Sequence, residues 1–431
     1  MPSPTHLPPR HAERSRFGTV STLVKLVAIA AAVVLVSGAS VAAIALTSIA
    51  SQVSANSVDI SGGGGQSQPH VGAFQGGFNV LIVGTDNDAS QGDAFGERDA
   101  TLNDVNILLH VSADQKSGVV VSFPRDLIVD HPQCTDPVTK VEYDATYKQP
   151  LNTGYERGGL ACITSTIENL TGLDIPYAGL ISFNGVIEMT NAVGGVPVCL
   201  NEAITDTDSG LDLPKGTSVI SGSDALAFLR TRHGVGDGSD LARISSQQQY
   251  LASLVRTLKS ANTLTDVTKL YGLAQAAASN IKLSTSLASL DSMVSLALAL
   301  KDVDLNNLVF VQYPAGSSAA YPGKVVPVTS TADELFAKIK ADEPFALGAD
   351  STGPGSSVAD GGAGDGTGTG SGTATPPSST APDASPGPTT APTPGSTDAG
   401  APGPSSTAPA VIDGITGQTA AEQTCADAFG D

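Results

Sequence analysis

The sequence predicts an α/β fold: a three-layer sandwich with a mixed central sheet and helices on both faces, plus an N-terminal transmembrane helix. Three short apolar runs rich in β-branched residues predict the first strands of the sheet, and two longer Leu/Ala/Val-rich segments predict helices. An uncharged apolar stretch near the N-terminus predicts the membrane segment.

The membrane segment runs from Leu26 to Ala50 and carries no charge over 25 residues. At about 1.5 Å per residue this length covers a hydrocarbon core of roughly 30 Å. Cationic residues dominate the segment 1–25, so we expect that end to be cytoplasmic and the rest of the chain to be extracytoplasmic, anchored by a single pass. A cleaved signal peptide is the alternative, with small residues at 40–45, but the apolar run exceeds the usual signal-peptide core.

Composition divides the remainder of the chain. Residues 51–73 are polar and Gly-rich, which predicts a flexible stalk, and residues 74–347 form one domain of ordinary size. Residues 348–410 consist mainly of Gly, Pro, Ser, Thr and Ala, which cannot bury enough apolar surface to offset the entropy of ordering, so we expect disorder. Residues 411–431 regain some apolar character and form a short C-terminal segment.

The charge of the chain excludes one class of partner. Forty-two acidic residues against 22 basic ones give a formal net charge of −20. A large cationic face for duplex nucleic acid is therefore not expected. Because charges are screened over about 8 Å, a local group of arginines can still bind an anion.

The four cysteines all follow the predicted membrane segment, at Cys134, Cys162, Cys199 and Cys425. Their even number outside the membrane and the absence of a CxxC pair favour disulfides over a metal site. We expect Cys162 to pair with Cys199 and Cys134 with Cys425. Free thiols are the alternative.

The predicted strands are residues 78–84 (FNVLIVG), 105–111 (VNILLHV) and 119–123 (VVVSF). If they pair antiparallel in this order, Asp86, Asp104 and Arg125 lie at one end of the sheet. Mg²⁺ prefers hard carboxylate oxygens together with substrate phosphate, so this grouping favours a magnesium site with Arg125 facing the phosphate. The alternative is a set of local roles, in which Asp86 caps a turn, Asp104 begins a strand and Arg125 pairs with a nearby carboxylate.

A second polar cluster occupies residues 229–250 (LRTRHGVGDGSDLARISSQQQY), where Arg230, Arg232 and Arg243 surround a Gly-rich loop that ends at Asp240. Guanidinium groups bind phosphate oxygens bidentately, which suits a doubly negative pyrophosphate diester. Catalysis of phosphoryl transfer depends mostly on such positioning and charge stabilisation. The alternative is surface ion pairs, worth less than about 1 kcal/mol.

The helix predicted after this loop places Arg243 and Gln247 four residues apart and Tyr250 seven residues along, so that the three share one face. His233 is interpreted as a hydrogen-bonding loop residue. The sequence has no GxSxG, GxxxxGK[ST] or HExxH motif, which argues against a serine hydrolase, a P-loop nucleotidase and a zincin. Asp206, Asp208 and Asp212 imitate a calcium loop without its final Glu, so a solvated acidic turn is expected.

Five segments together resemble one known family, the LytR-CpsA-Psr cell-wall glycopolymer ligases. They cover the predicted domain in the order that the family shows. The segments are VLIVGTD at 80–86, NDVNILLHV at 103–111, VVVSFPRD at 119–126, NTGYERGG at 152–159 and ALAFLRTRHGVGDGSDLARISSQQQ at 225–249.

The resemblance implies an extracytoplasmic, Mg²⁺-dependent phosphotransferase that moves a glycopolymer from a polyprenyl-pyrophosphate carrier to peptidoglycan. It implies that Asp86 and Asp104 hold the metal. Asp240 and Gln247 fall on recurrent polar positions, and Asp240 is our candidate proton acceptor. The arginines implied to bind the pyrophosphate and to act in catalysis are Arg125, Arg230, Arg232 and Arg243.

Two positions depart from the family pattern. Ser246 stands where the family usually has a basic residue, and Leu102-Asn103-Asp104 replaces a basic-serine-aspartate pattern while keeping the metal aspartate. The Ser246 change leaves open a non-catalytic module that binds polyprenyl phosphate or wall glycan, or that has a regulatory role. Pyrophosphate hydrolysis is an expected side activity of the ligase. The helical segments 264–277 and 287–300 could line a slot for the polyprenyl chain, with plain core packing as the alternative.

Overall fold

The computed structural model describes residues 24–33, 36–37, 57–60, 76–86, 101–260, 267–349, 351–359 and 409–430. Residues 24–33 and 36–37 are helical. Within these described ranges, no helix combines the length and the apolar character needed to cross a membrane. Most of the predicted anchor at 26–50, much of the stalk and most of the predicted disordered segment lie outside the described residues.

The strands of the described residues are numbered in chain order. They are β1 (Phe78–Thr85), β2 (Asn103–Val111), β3 (Gly118–Phe123), β4 (Ile128–His131), β5 (Cys134–Thr135), β6 (Glu142–Tyr143), β7 (Thr146–Pro150), β8 (Tyr177–Ile181), β9 (Val196–Leu200), β10 (Ile204–Asp206), β11 (Leu211–Leu213), β12 (Gly216–Ile220), β13 (Ile281–Leu283), β14 (Leu308–Gln312), β15 (Ala315–Ser317), β16 (Val325–Pro327), β17 (Phe345–Leu347), β18 (Ser356–Val358), β19 (Ala410–Ile412), β20 (Gly417–Thr419) and β21 (Thr424–Ala426).

The α-helices that follow β7 are likewise numbered in chain order. They are α1 (Tyr155–Thr171), α2 (Phe183–Val193), α3 (Gly222–Arg230), α4 (Asp240–Ser260), α5 (Val267–Asn280), α6 (Leu290–Asp302) and α7 (Thr329–Lys340).

A seven-stranded mixed sheet with the order β13-β8-β1-β2-β3-β14-β20 forms the centre of the domain. Strands β1, β2 and β3 pair antiparallel in sequence order, as predicted, while β8 joins β1 and β14 joins β3 in parallel. The register places Thr85 opposite Asn103. The end of β1, the beginning of β2 and the end of β3 therefore meet at one end of the sheet.

Helices cover both faces of this sheet, which confirms the predicted arrangement. Successive strand residues point to opposite faces. Leu81 and Val83 of β1 belong to an apolar cluster with side chains of α1 and α7, whereas Phe78 and Val80 belong to a second cluster with Ala252 of α4 and with residues of α5 and α6.

The two segments proposed to line a lipid slot fall largely in α5 and α6. Leu287 and Ala299 of the second segment are buried in the second apolar cluster, and so is Ala278, which directly follows the first segment. For these side chains the structure shows core packing, and a lipid slot stays a prediction.

The folded domain extends further toward the C-terminus than the boundary predicted at residue 347. Ser356–Val358 pairs antiparallel with Thr424–Ala426, and β21 in turn joins β9 in parallel. Gly417–Thr419 adds the edge strand β20 to the central sheet beside β14. The boundary was misplaced because the pairing partners of these short strands are remote in sequence, and three-residue strands carry almost no periodic signal.

The disulfides join different cysteines from those predicted. Cys134 bonds to Cys162 and Cys199 bonds to Cys425, with Cα–Cα distances of 5.5 and 4.5 Å. The first bridge ties β5 to α1. The second joins neighbouring strands, because β21 lies beside β9. Sequence spacing correctly indicated disulfides but could not reveal these neighbours.

Candidate active site

The end of the sheet where β1, β2 and β3 meet carries the predicted acidic and basic groups. Asp86 directly follows β1 and is buried, Asp104 is the second residue of β2, and Arg125 lies two residues after β3. Asp86 is fixed to the neighbouring strand by two backbone contacts: its amide donates to Leu102 O at 3.4 Å, and its Oδ1 accepts from Leu102 N at 3.0 Å.

Arg125 is the centre of an ion-pair network. Its Nη1 donates to Asp104 Oδ1 at 2.7 Å, its Nε lies 3.6 Å from carboxylate oxygens of Asp126 and Asp240, and Lys324 also pairs with Asp126. Burial lowers the pKa of Arg125, but the negative charges of Asp104, Asp240 and Asp126 outweigh burial and leave that pKa raised. The guanidinium is therefore held charged.

Helix α4 brings the second cluster to the same place. Its first turn is capped by Ser239, whose Oγ accepts from Ala242 N at 3.2 Å, so the helix begins at Asp240. Asp240 Oδ2 accepts from the backbone amide of Arg125 at 3.3 Å. Arg243, one turn along, donates from Nη2 to the backbone oxygen of Asp104 at 2.9 Å. The two predicted clusters thus form one site.

Asp240 and Arg243 form a buried ion pair. Arg243 Nη2 lies 2.6 Å from Asp240 Oδ1, and the residues are 5% and 9% exposed respectively. The contact is an ion pair by distance, because Oδ1 does not meet the geometry of a hydrogen bond. Burial lowers the pKa of Arg243, Asp240 opposes this shift, and the nearby charges of Arg125 and Arg232 add to it. Both oxygens of Asp240 thus face arginine groups.

The two remaining predicted arginines flank this network. Arg232 lies close enough to Arg243 for its positive charge to contribute to the lowered pKa of Arg243. The guanidinium of Arg230 lies over the ring of Phe183 at the start of α2, 4.3 Å from the ring centroid. Gln247 donates from Nε2 to Leu229 O at 2.9 Å and so holds the end of α3 against α4.

Three arginine side chains in this region carry a donor with no acceptor. The Nε atoms of Arg125, Arg232 and Arg243 are buried and have no hydrogen-bond partner among the described residues. A buried donor without an acceptor costs about 1–3 kcal/mol, and more when the group is charged. For Arg125 the carboxylates of Asp126 and Asp240, at 3.6 Å from Nε, compensate the charge without forming a hydrogen bond.

Sequence reasoning missed two residues that position the site. Asn103 is fully buried and donates from Nδ2 to Leu151 O at 3.2 Å and to Asn106 Oδ1 at 2.8 Å, while its Oδ1 accepts from Tyr155 N at 3.2 Å. These hydrogen bonds tie the start of β2, next to Asp104, to the start of α1. An Asn directly before Asp104, at the start of a predicted strand, was the available signal.

The second missed residue is Asp206, which was expected in a solvated turn but is buried. Its Oδ2 accepts from Thr231 Oγ1 at 2.5 Å, and Thr231 stands between Arg230 and Arg232. Burial raises the pKa of Asp206, but this hydrogen bond and those from the turn outweigh burial and lower that pKa. Asp206 thus anchors the segment that carries both arginines.

His233 is a hydrogen-bonding loop residue, as predicted: its Nδ1 lies 2.8 Å from Asp208 Oδ2. Among the described residues, Asp206, Asp208 and His233 are the one group of three such side chains close enough to share a metal ion. Both carboxylate oxygens of Asp206 already accept hydrogen bonds, Oδ1 from the amide of Asp208 and Oδ2 from the hydroxyl of Thr231. This group is accounted for by local hydrogen bonding.

Ser246 lies inside the fold. It is completely buried, and its hydroxyl donates to Ala242 O at 3.4 Å within α4. A long basic side chain at this position would have to displace its packed neighbours. The departure from the family pattern is therefore accommodated by helix packing.

The model of the LytR_cpsA_psr family matches residues 33–339, well over half of the chain. The chain belongs to the LytR-CpsA-Psr family. The cell wall biosynthesis protein LcpA of Corynebacterium glutamicum is 29% identical over 280 residues, which are 59% of this chain and 53% of LcpA. The polyisoprenyl-teichoic acid–peptidoglycan teichoic acid transferase TagT of Bacillus subtilis is 26% identical over 246 residues, 56% of this chain and 70% of TagT.

The fold has a counterpart of known structure. The crystal structure of protein gbs0355 from Streptococcus agalactiae superposes with a TM-score of 0.50 at 20% identity, covering 62% of this chain and 88% of that one. At this sequence identity the likeness shows that the two chains share a fold. The match spans about half the length of LcpA.

Proposed function

We propose that this LytR-CpsA-Psr protein is a phosphotransferase that moves a glycopolymer from a polyprenyl-pyrophosphate carrier to peptidoglycan, outside the cell and anchored to the membrane by residues 26–50. Family membership and the transferase named TagT support the reaction class. The observation that carries the proposal is the convergence of Arg125, Arg232 and Arg243 on one ion-pair network with Asp104 and Asp240.

The chemistry follows from a pyrophosphate bound at the arginines. The acceptor hydroxyl oxygen bonds to the phosphorus that carries the glycan, the bond from that phosphorus to the bridging oxygen breaks, and polyprenyl phosphate leaves with the electron pair. The hydroxyl proton passes to solvent. Arg125, Arg232 and Arg243 stabilise the charge on the phosphoryl oxygens, which is where most catalysis of phosphoryl transfer arises.

The residues present fit a magnesium ion. Asp86 and Asp104 supply hard carboxylate oxygens at one sheet end, and Asp104 already contacts the guanidinium that would face the phosphate. Bound there, Mg²⁺ would neutralise part of the pyrophosphate charge. Asp240, expected as a proton acceptor, is instead assigned to orienting Arg125 and Arg243, because its two oxygens face these groups.

The experiment is a transfer assay with the purified full chain in detergent, a lipid-pyrophosphate glycan, Mg²⁺ and peptidoglycan fragments, followed by mass spectrometry. We expect a phosphodiester-linked product, and Arg232→Ala should lower its rate about 100-fold. The control is Lys215→Ala, which removes an exposed cation paired only with Glu202 at 2.7 Å among its described contacts.

Three results separate the candidate functions. Product that depends on Arg232 supports the transferase. Tight donor binding without product would favour a non-catalytic binding module. Release of a free phosphoglycan in the absence of acceptor would identify pyrophosphate hydrolysis, in which water replaces the sugar hydroxyl.

A further inference from the structure

The last described residues of the chain pair with the loop that carries Arg232. This loop spans residues 231–239, between α3 and α4. Val235 at its centre is fully buried and forms an antiparallel bridge with Ala428. Three backbone hydrogen bonds extend the pairing: Gly236 N to Asp427 O at 3.1 Å, Phe429 N to Gly234 O at 3.1 Å and Gly430 N to Gly236 O at 3.2 Å.

A second stretch from the C-terminal part of the chain lies against the same loop. Gly236 approaches Gly355 so closely that a Cβ on Gly236 would lie 2.6 Å from Gly355 Cα. Asp427 connects the two C-terminal stretches to each other and to Asn201. Its amide donates to Gly355 O at 3.0 Å, and its Oδ1 accepts from Asn201 Nδ2 at 2.5 Å and from Ser357 Oγ at 3.1 Å.

The terminal stretch is tied to the rest of the domain, and the stretch around Gly355 is paired with it through β18 and β21. Cys425 is bonded to Cys199 in β9, and Gln249 of α4 donates from Nε2 to Thr424 O at 2.8 Å. The family match ends at residue 339, so these supporting residues lie beyond the matched part of the chain.

The loop has a short set of local restraints: Thr231 is fixed by Asp206, and Gly238 N donates to Val235 O at 3.0 Å. Gly236 and Gly238 adopt positive φ angles of 50° and 77°, and glycine loses more conformational freedom on ordering than any other residue. Arg232, whose Nε has no hydrogen-bond partner among the described residues, directly precedes this glycine-containing stretch. The three backbone hydrogen bonds between the loop and residues 427–430 add to these local restraints at Gly234 and Gly236.

We propose that residues 424–430, with Asp427 as the central positioning residue, hold the 231–239 loop in the conformation that presents Arg232 to the anion. The effect on transfer rests on the proposed function. The effect on the loop does not, because it concerns backbone order alone.

Two variants at one position test the pairing. Phe429→Pro removes the amide that donates to Gly234 O, whereas Phe429→Ala keeps this amide and removes the ring, which lies close to Gly238. Asp427→Ala, which removes the acceptor of Asn201 and Ser357, is the second test should Phe429→Pro fail to fold. The full chain is used throughout, and thermal unfolding confirms that each variant is folded.

Hydrogen–deuterium exchange of residues 234–238 is the first measurement. We expect exchange at least ten times faster in Phe429→Pro and in Asp427→Ala than in the wild type, and a clearly smaller increase in Phe429→Ala, which loses the ring but keeps the amide. Unchanged exchange in folded Phe429→Pro and Asp427→Ala overturns the proposal, whatever the transfer assay shows.

Transfer is the second measurement. Phe429→Pro should lower transfer at least five-fold, and it should lower it no further when Arg232→Ala is already present, because both changes act through the same guanidinium. Additive losses, or faster exchange with full transfer, would overturn a role in presenting Arg232. A wild-type chain with no transfer, but with variant-dependent exchange, would refute the proposed function while supporting the positioning of the loop.

Discussion

Neutralising Asp240 should destabilise the folded chain through the two arginines that it faces. The change is Asp240→Asn, which keeps the shape of the side chain and removes its charge. Arg243 would then remain almost fully buried, with its ion-pair partner at 2.6 Å made neutral. Arg125 would lose one of the two carboxylate charges beside its Nε but keep Asp126 at 3.6 Å and Asp104 at 2.7 Å.

The size of the effect follows from the burial of the pair. Removing one partner of a buried ion pair costs about 3–5 kcal/mol, because the other charge is left buried and uncompensated. The backbone oxygen of Asp104 still accepts from Arg243, and an Asn oxygen can still accept from the amide of Arg125. We therefore expect the lower end of the range, a loss of about 3 kcal/mol in the free energy of unfolding.

Urea unfolding followed by circular dichroism, with both disulfides oxidised, measures this loss. Asp237→Asn is the control, since this exposed carboxylate lies on the same loop and should cost under about 1 kcal/mol. Combining Asp240→Asn with Arg243→Met should restore at least about 1 kcal/mol relative to the sum of the single changes. A loss within about 0.5 kcal/mol for Asp240→Asn, or strictly additive losses, would refute the reasoning.

Three further changes test other parts of the structure. Burial lowers the pKa of His131 from its ordinary 6.5, so at acidic pH the unfolded chain binds a proton that the folded chain excludes. The free energy of unfolding should therefore fall as the pH drops below 6.5. His131→Gln should reduce this pH dependence, measured by urea titrations at several pH values. Thr231→Val leaves the buried Asp206 without its hydroxyl donor and should cost about 1–3 kcal/mol, whereas Thr231→Ser should cost much less in the same titration. Replacing Cys199 and Cys425 by Ser opens a loop with a sequence separation of 226, so thermal unfolding should show a loss of about 5 kcal/mol on the chain-entropy account, and a loss below about 1 kcal/mol would contradict it.

The sequence was sufficient for the local parts of the fold. The runs at 78–84, 105–111 and 119–123 predicted β1, β2 and β3, and the direction of the chain alone placed Asp86, Asp104 and Arg125 at one sheet end. Short apolar strands bounded by turn residues carry this information in their own composition.

What the sequence could not supply was the pairing of distant segments. The convergence of Arg243 on Asp104 depends on how α4 crosses the end of the sheet, and the bond between Cys199 and Cys425 depends on β21 lying beside β9. The burial of Asp206 likewise depends on Thr231, which is 25 residues away in sequence. Periodicity and composition describe each segment separately, so none of these contacts leaves a local signal.

The acids of this site have a folding role that must be separated from any role in metal binding. Arg125, Arg232 and Arg243 repel one another at close range, and the charges of Arg125 and Arg232 contribute to the lowered pKa of Arg243. Asp104 and Asp240 are the charges that allow the guanidinium groups to be held together before an anion binds. Loss of transfer in a variant of either acid would therefore not by itself identify a magnesium ligand. For Asp86, which directly follows β1 and is buried, transfer by Asp86→Asn that recovers at high Mg²⁺ concentration, with unchanged stability, would point to the metal.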